Sequence, residues 1–339
     1  MKRTSLKSEP TKQKLSYFVD ESQKPMGFIH SGSSLLDLVL GGGWPLGRIS
    51  NIVGDESTGK TLLAIEACTN FFKQYPDGVI VYKEAEAAFD KQYAATLNMP
   101  VNKIDFAENV DDTIEDIYEY IKKTIDKCMK KKVPGLIIID SLDAIYTKGE
   151  EKEELKDSFG LGKQKLLSRI FRLLSKKIEA ANIHLMVISQ VRAKIGALFG
   201  VKKTYSGGQA MKHYATHILW LSEIGRNDKT IRKIKRIVSL DIKAKCTKNK
   251  IGLAFRECQF PLVFGYGVDD ITSCLEWLEL VDEDYLKKLY EETGSVNLVK
   301  CAEILKHGKY PKTVQKLKAK VKKEWEEIET SFLPSYSKY

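Results

Sequence analysis

Apolar positions along the chain repeat with two different periods, and the switches between them mark out the elements. Short, nearly unbroken apolar runs at 50–53, 79–83, 136–139 and 185–189 have the form of strands buried on both faces. Between them, apolar residues recur every three or four positions and predict helices over 60–74, 111–129 and 163–180. Strand and helix in strict alternation predict an α/β fold, a mostly parallel twisted sheet flanked by helices. From 216 to 264 the chain is strand-rich. Beyond Gly265-Tyr266-Gly267 the pattern turns helical, with Ile271 to Leu280, Leu286 to Tyr290, Leu298 to Leu305 and Thr313 to Ile328 punctuated by Gly294 and Pro311. Three parts are therefore expected. Residues 1–30 form a basic leader whose apolar patch (Leu15, Tyr17, Phe18, Val19) is too small to fold alone and docks elsewhere; 31–268 form the α/β core; 269–339 form a small α-rich C-terminal domain.

Composition narrows the class. The 339 residues are 43% apolar, ample for a packed core. No stretch approaches the ~20 apolar residues of a spanning helix, and the polar, basic start from Met1 to Gln13 lacks a signal-peptide core. Six cysteines (Cys68, Cys128, Cys246, Cys258, Cys274, Cys301) show no C-x-x-C pair or zinc-like spacing, so they read as reduced thiols of a cytoplasmic protein. The net charge of +10 is concentrated: Gln190 to Arg256 holds sixteen Lys and Arg against three Asp and Glu, a local excess of +13. Clustered cations of this kind are the electrostatic footprint of a polyanion track.

Candidate chemistry begins at Gly54-Asp55-Glu56-Ser57-Thr58-Gly59-Lys60-Thr61, which fits G-x-x-x-x-G-K-[ST] between a predicted strand and a predicted helix. In that pattern the glycines let backbone N–H groups curl around phosphates, Lys60 adds a point charge, and the Thr61 hydroxyl can ligate Mg²⁺. The run Leu136-Ile137-Ile138-Ile139 then delivers Asp140 to the carboxyl edge of the sheet, where it would hold the same Mg²⁺. Glu84 and Glu86 come at the end of the strand 79–83, the one after the phosphate-loop helix, and one of them is the expected base for an attacking water; alternation puts both on one side and does not choose between them. Gln190 closes the strand 185–189 and opens the basic region, placed between a γ-phosphate and the following loop.

These residues resemble the RecA-type recombinases of bacteria and phages over roughly His30 to Gly267. The likeness is carried by GDESTGKT, by Glu84-Ala85-Glu86-Ala87-Ala88-Phe89-Asp90 with Tyr93, by LIIIDS ending in Asp140 and Ser141, and above all by Ser189 to Gly200 and Gly207-Gly208-Gln209-Ala210-Met211-Lys212. The resemblance implies a RecA-like ATPase core with a short N-terminal polymerisation segment docking on the neighbouring protomer, and ATP with Mg²⁺ as cofactors. It places the catalytic glutamate at Glu86, with Asp90 and Tyr93 in the nucleotide site and Tyr93 stacking on adenine. It makes Gln190 the coupling residue between γ-phosphate and DNA, and Lys248 and Lys250 the lysines that reach a neighbour's ATP. DNA-binding loops are implied near 150–163 and 191–208. Lys165, Arg172, Arg192, Lys194, Gly196, Gly207, Gly208 and Lys212 are implied DNA contacts, and Ile195 an apolar wedge between bases. Implied partners are single-stranded and duplex DNA, further copies of the chain in a helical filament, and by extension single-strand-binding and mediator proteins.

Departures from the family pattern shape the expectation. Gly160 stands in the first loop where the family has an inserting methionine, leaving Phe159 or Leu161 as wedge, and an acidic run (Glu150, Glu151, Glu153, Glu154) precedes it. His213 replaces a phenylalanine that plugs into the adjacent subunit. An acidic C-terminal tail is missing; Lys306 to Lys323 instead carries eight lysines and no acid. These features look phage-like or divergent. The expected function is ATP-dependent homologous pairing and strand exchange on single-stranded DNA. The alternatives are a RecA-fold helicase or loader ATPase, and a non-catalytic single-strand-binding mediator.

Overall fold

A computed structural model describes residues 27–152, 160–193 and 203–334. The expected N-terminal polymerisation segment falls almost wholly outside these residues. In chain order the elements are β1 (Phe28–Ile29), α1 (Ser34–Leu40), β2 (Trp44–Pro45), β3 (Ile49–Gly54), α2 (Lys60–Gln74), β4 (Val79–Glu84), α3 (Lys91–Thr96), β5 (Ile104–Asp105), α4 (Ile114–Lys131) and β6 (Gly135–Asp140). There follow α5 (Lys148–Lys152), α6 (Gly160–Ala180), β7 (Ile183–Ala193), β8 (Lys203–Tyr205), α7 (Gly208–Tyr214), β9 (His217–Ile231), β10 (Ile234–Asn249), β11 (Arg256–Val263) and β12 (Gly267–Val268). The chain closes with α8 (Asp270–Val281), α9 (Glu283–Thr293), α10 (Leu298–Lys306) and α11 (Pro311–Ser331).

The main sheet has the order β12-β11-β10-β9-β3-β7-β6-β4-β5. Pairing is parallel from β9 across to β5 and antiparallel from β9 out to β12. The mostly parallel α/β architecture expected from the alternation of elements is therefore present. Its register also aligns the site: Gly54 pairs with Gln190, and Glu84 with Asp140, so the ends of β3, β4, β6 and β7 lie on one edge.

The apolar runs are continuous because both faces of these strands are covered. In β6, Leu136 and Ile138 enter one buried cluster and Ile137 and Ile139 the other. All four are at most 4% exposed, so each contributes about 1.5–3 kcal/mol of burial. The first cluster takes Leu63, Ala67 and Phe71 of α2 and continues through Leu275, Leu278, Leu317 and Val321 of the C-terminal helices; α4, α6 and α7 cover the second.

Two boundaries differ informatively from the pattern. Helix α4 begins at Ile114 rather than 111 because Thr113 caps it, its hydroxyl accepting from Asp116 N at 3.2 Å. Strand β7 runs on to Ala193, past the expected 189, because β8 pairs with it through Val191–Tyr205 and Ala193–Lys203. Such a partner is remote in sequence, and no local period announces it.

Candidate active site and nucleic-acid face

The chain leaves β3 at Gly54, turns through Ser57 and Gly59 with positive φ (58° and 84°), and enters α2 at Lys60. A Cβ on Gly54 would lie 2.4 Å from Thr58 Oγ1 and 3.1 Å from the Leu221 carbonyl oxygen, so close approach requires that glycine, while Gly59 is required by its left-handed φ. The Thr58 hydroxyl donates to Asp55 O at 2.8 Å and closes the loop. With Gly59 at the N-cap, no side chain caps α2. Its first N–H groups and the positive end of its dipole are thus left without a side-chain cap, an arrangement suited to an anion. They border a cavity of about 500 Å³ lined by the loop from Glu56 to Thr61 and by Glu86, Asp90, Tyr93, Asp140 and Gln190. The Lys60 ammonium donates to Asp55 O at 2.6 Å. Burial lowers its pKa, against the opposing pull of Asp140, Glu86, Asp55 and Asp143.

Asp140 is 6% exposed, and its Oδ2 accepts from Thr61 Oγ1 at 2.8 Å and from Tyr82 OH at 2.7 Å. Burial raises its pKa while these two hydrogen bonds lower it, and Glu86 and Glu84 raise it further. Thr61 and Asp140 thus present two oxygens in contact at the foot of the phosphate loop, a donor set suited to Mg²⁺. Among the described residues no group of three or more His, Cys, Asp or Glu converges as a metal site. Mg²⁺ fits here only if phosphate oxygens and water complete its shell, as is usual for this ion.

The two glutamates left open by alternation have different surroundings. Glu84 Oε1 accepts from the backbone N–H groups of Glu86 (2.8 Å) and Ala88 (3.1 Å), tying down the turn after β4. Glu86 lines the cavity, and its Oε1 accepts from Gln190 Nε2 at 3.0 Å and from the Ser141 hydroxyl. Asp90 caps α3, accepting from Gln92 N (2.8 Å) and Tyr93 N (3.0 Å). That holds Tyr93 at the cavity rim, where its hydroxyl accepts from Gly265 N at 3.4 Å, with Phe264 also in the lining.

Lys248 and Lys250 stand apart. Both ammonium groups cap the C-terminal carbonyls of α7: Lys250 donates to His213 O at 2.9 Å, and Lys248 to Lys212 O and to His213 O at 3.3 Å. Neither lines the cavity of its own chain. Burial, with Lys250 beside it, lowers the Lys248 pKa to about 8.

Lys165 and Arg172 of α6 line a second cavity, about 350 Å³, between α6 and α7, joined by Arg169 and Tyr214. Gly207 (φ 81°) and Gly208 (φ 43°) form the turn into α7; a Cβ on Gly207 would meet Met211 Cγ at 2.5 Å. Lys212 is exposed on α7. Arg192 lies on β7 paired with Thr204. Lys194, Ile195 and Gly196, and Asp157 to Phe159 of the first loop, lie outside the described residues.

Sequence reasoning missed two connectors. Tyr82, read only as part of a strand, reaches Asp140 from the neighbouring strand. Asp143 accepts from Gln190 N at 2.7 Å and from the Ser206 hydroxyl, linking the end of β6 to the glycine turn. Its place three residues after Asp140 is the one local signal for it.

The family model for the RecA N-terminal domain matches residues 7–269. Protein RecA of Trichodesmium erythraeum (strain IMS101) is 30% identical over 263 residues, covering 78% of this chain and 70% of that protein. Protein RecA of Synechococcus sp. (strain CC9902) is 32% identical over 277 residues, 82% and 67% of the two chains, and that of Prochlorococcus marinus (strain AS9601) 31% over 264 residues, 78% and 68%. With the phosphate loop, Asp140 and Gln190 on one sheet edge, and a family match across most of its length, the chain is a divergent member of the RecA family.

Proposed function

We propose that this protein is an ATP-dependent recombinase of the cytoplasm that forms helical filaments on single-stranded DNA and pairs it with homologous duplex. The observation that carries the reading is the Glu86–Gln190 hydrogen bond at 3.0 Å, which joins the nucleotide cavity to the strand leading into the basic segment after Ala193. In this reading Lys60 and the α2 N-terminus hold the phosphates, and Glu86 orients the attacking water and takes its proton. Thr61 and Asp140 would hold Mg²⁺, which neutralises phosphate charge when bound. Gln190 would exchange its Glu86 contact for a γ-phosphate oxygen and so move the backbone on its far side.

The separation of Lys248 and Lys250 from their own cavity supports a site completed by the next protomer. Cations supplied in trans stabilise developing negative charge only when protomers stack, which would link hydrolysis to filament formation. Lys165, Arg172 and Lys212, exposed beside the glycine turn, are the proposed phosphate contacts among the described residues. Negative-stain imaging with single-stranded DNA and a non-hydrolysable ATP analogue tests the reading. Helical filaments support it; closed rings would indicate the helicase or loader alternative. DNA bound with neither helical nor ring order would indicate a mediator.

A further inference from the structure

The turn that follows β6 touches several parts of the site through successive residues. Ser141 Oγ donates to Glu86, and Leu142 N donates to Ile188 O of β7 at 2.9 Å. Leu142 also packs on the glycine turn, since a Cβ on Gly207 would lie 2.8 Å from its Cδ2. Asp143 accepts from Gln190 N at 2.7 Å and from the Ser206 hydroxyl. Its two oxygens therefore hold opposite ends of the segment between the sheet edge and α7: Gln190 stands where the chain enters that segment and Ser206 where it leaves.

Register shows what the carboxylate replaces. Strands β7 and β8 form an antiparallel ladder with Ala193 opposite Lys203, Arg192 opposite Thr204 and Val191 opposite Tyr205. One step further, the same register would set Gln190 opposite Ser206, but the ladder stops short of that pair. Asp143 supplies the missing rung, taking a main-chain N–H from one stem and a hydroxyl from the other. A part-buried N–H left without such an acceptor is costly, so the rung also satisfies the backbone at Gln190. The exit stem is anchored in turn: Tyr205 is buried and meets Trp220 edge-on with centroids 5.6 Å apart. Asp143 does not itself line the nucleotide cavity.

We infer that Asp143 is a positioning residue for Gln190: it ties the entry and exit stems of the 191–206 segment into one unit, so that a shift of either stem alters the Glu86–Gln190 contact. The Gln190 side chain reaches Glu86 at 3.0 Å from the same residue whose main chain Asp143 holds. A main-chain displacement there changes both distances together, and without the rung the exit stem could move with Gln190 left in place. The inference rests on the reading of Gln190 as the residue that couples nucleotide to single-stranded DNA.

The test is steady-state ATP hydrolysis by the full chain, with and without saturating single-stranded DNA, on Ser206→Ala, Ser206→Thr, Asp143→Ala, the double variant Asp143→Ala, Ser206→Ala, and Gln190→Ala. Asp143 also attracts the Lys60 ammonium, and Ser206→Ala leaves that charge in place, so it isolates the rung. Ser206→Ala should lower the DNA-stimulated kcat about 10- to 100-fold, the value of one hydrogen bond to a charged acceptor, with KM for ATP and the DNA-independent rate unchanged. Ser206→Thr, which keeps the hydroxyl, should restore the wild-type kcat. Asp143→Ala should lower it further, and the double variant should be no slower than Asp143→Ala, because both changes remove the same rung. Wild-type stimulation in Ser206→Ala would overturn the inference, as would a loss that Ser206→Thr does not restore or fully additive losses in the double variant. The two Ser206 variants decide the matter even where Asp143→Ala does not fold. Gln190→Ala separates the two levels. Full stimulation by DNA in that variant would remove the coupling reading itself; stimulation lost there but intact in Ser206→Ala would leave the reading standing and overturn the role of Asp143 alone.

Discussion

Tyr82→Phe removes a single oxygen from the interior of the site and should be felt in three separable measurements. Tyr82 is fully buried, and its ring packs on Phe89 with centroids 4.7 Å apart, contacts that phenylalanine keeps. What disappears is the 2.7 Å hydrogen bond to Asp140 Oδ2, leaving Thr61 as that oxygen's remaining side-chain donor among the described residues. A hydrogen bond to a charged acceptor contributes about 1.5–3 kcal/mol. The direction is set by the site: burial already raises this pKa and the tyrosine hydroxyl opposes that, so the variant's pKa rises further. A carboxyl with a raised folded-state pKa adds stability below its unfolded value and loses that advantage as pH rises through the folded pKa. The variant should therefore be less stable than wild type at pH 8 by about 1.5–3 kcal/mol, and the gap should close as pH falls through the two folded-state values. Urea unfolding followed by tryptophan fluorescence at several pH values reads this directly. With ATP, the acid limb of hydrolysis should move to higher pH, and half-saturation should need more Mg²⁺. A stability gap that is the same at every pH, with unchanged Mg²⁺ dependence, would refute a role for Tyr82 in holding Asp140 ionised.

Glu86→Gln should keep ATP and DNA binding while lowering turnover by about 10²–10⁴, whereas Glu84→Gln should cost stability through the 84–88 turn; single-turnover hydrolysis and thermal melts on both variants separate the roles, and the reverse pattern would exchange them. Lys248→Ala and Lys250→Ala should abolish DNA-stimulated hydrolysis but leave nucleotide binding to monomers intact, and mixing either with Lys60→Ala should restore turnover; no complementation in filaments shown to be mixed would exclude a site shared between protomers. His184 and His217 are fully buried, and burial holds their pKa values near 4 and 3, against 6.5 for an exposed imidazole. Stability present above pH 6.5 is therefore lost as pH falls toward 4, by about 1.4 kcal/mol per unit for each histidine, or about 4 kcal/mol for the pair at pH 5. His217→Gln should flatten that dependence by one histidine's share in urea titrations from pH 7 to 5, and an unaltered slope would place the acid sensitivity elsewhere.

Local pattern carried much of this fold. The runs at 50–53, 79–83, 136–139 and 185–189 could be read as central strands because both sheet faces are covered, which removes polar residues from every position. The phosphate loop was legible because its chemistry is contiguous: close approach at Gly54, a left-handed φ at Gly59, charge at Lys60 and the hydroxyl at Thr61 all fall within one turn and one helix start. The choice between Glu84 and Glu86 was not. Alternation holds only along a strand, and β4 ends at Glu84, after which Ala87 takes a positive φ of 54°. The chain turns there, Glu84 is spent on its backbone and Glu86 swings into the cavity. The Tyr82–Asp140 and Asp143–Gln190 contacts depend on strand order, which no single-strand period encodes. The basic stretch from Gln190 to Arg256 was visible as a sum of charge; its division among β7, α7, the β9–β10 hairpin and the lysines on the α7 carbonyls was decided by the sheet. Sequence by itself determined the periods, the phosphate loop and the placement of charge along the chain, because each depends on neighbours a few residues away. Tertiary structure decided which carboxylate faces the cavity and which cations lie outside it, because those depend on pairing between strands far apart in sequence.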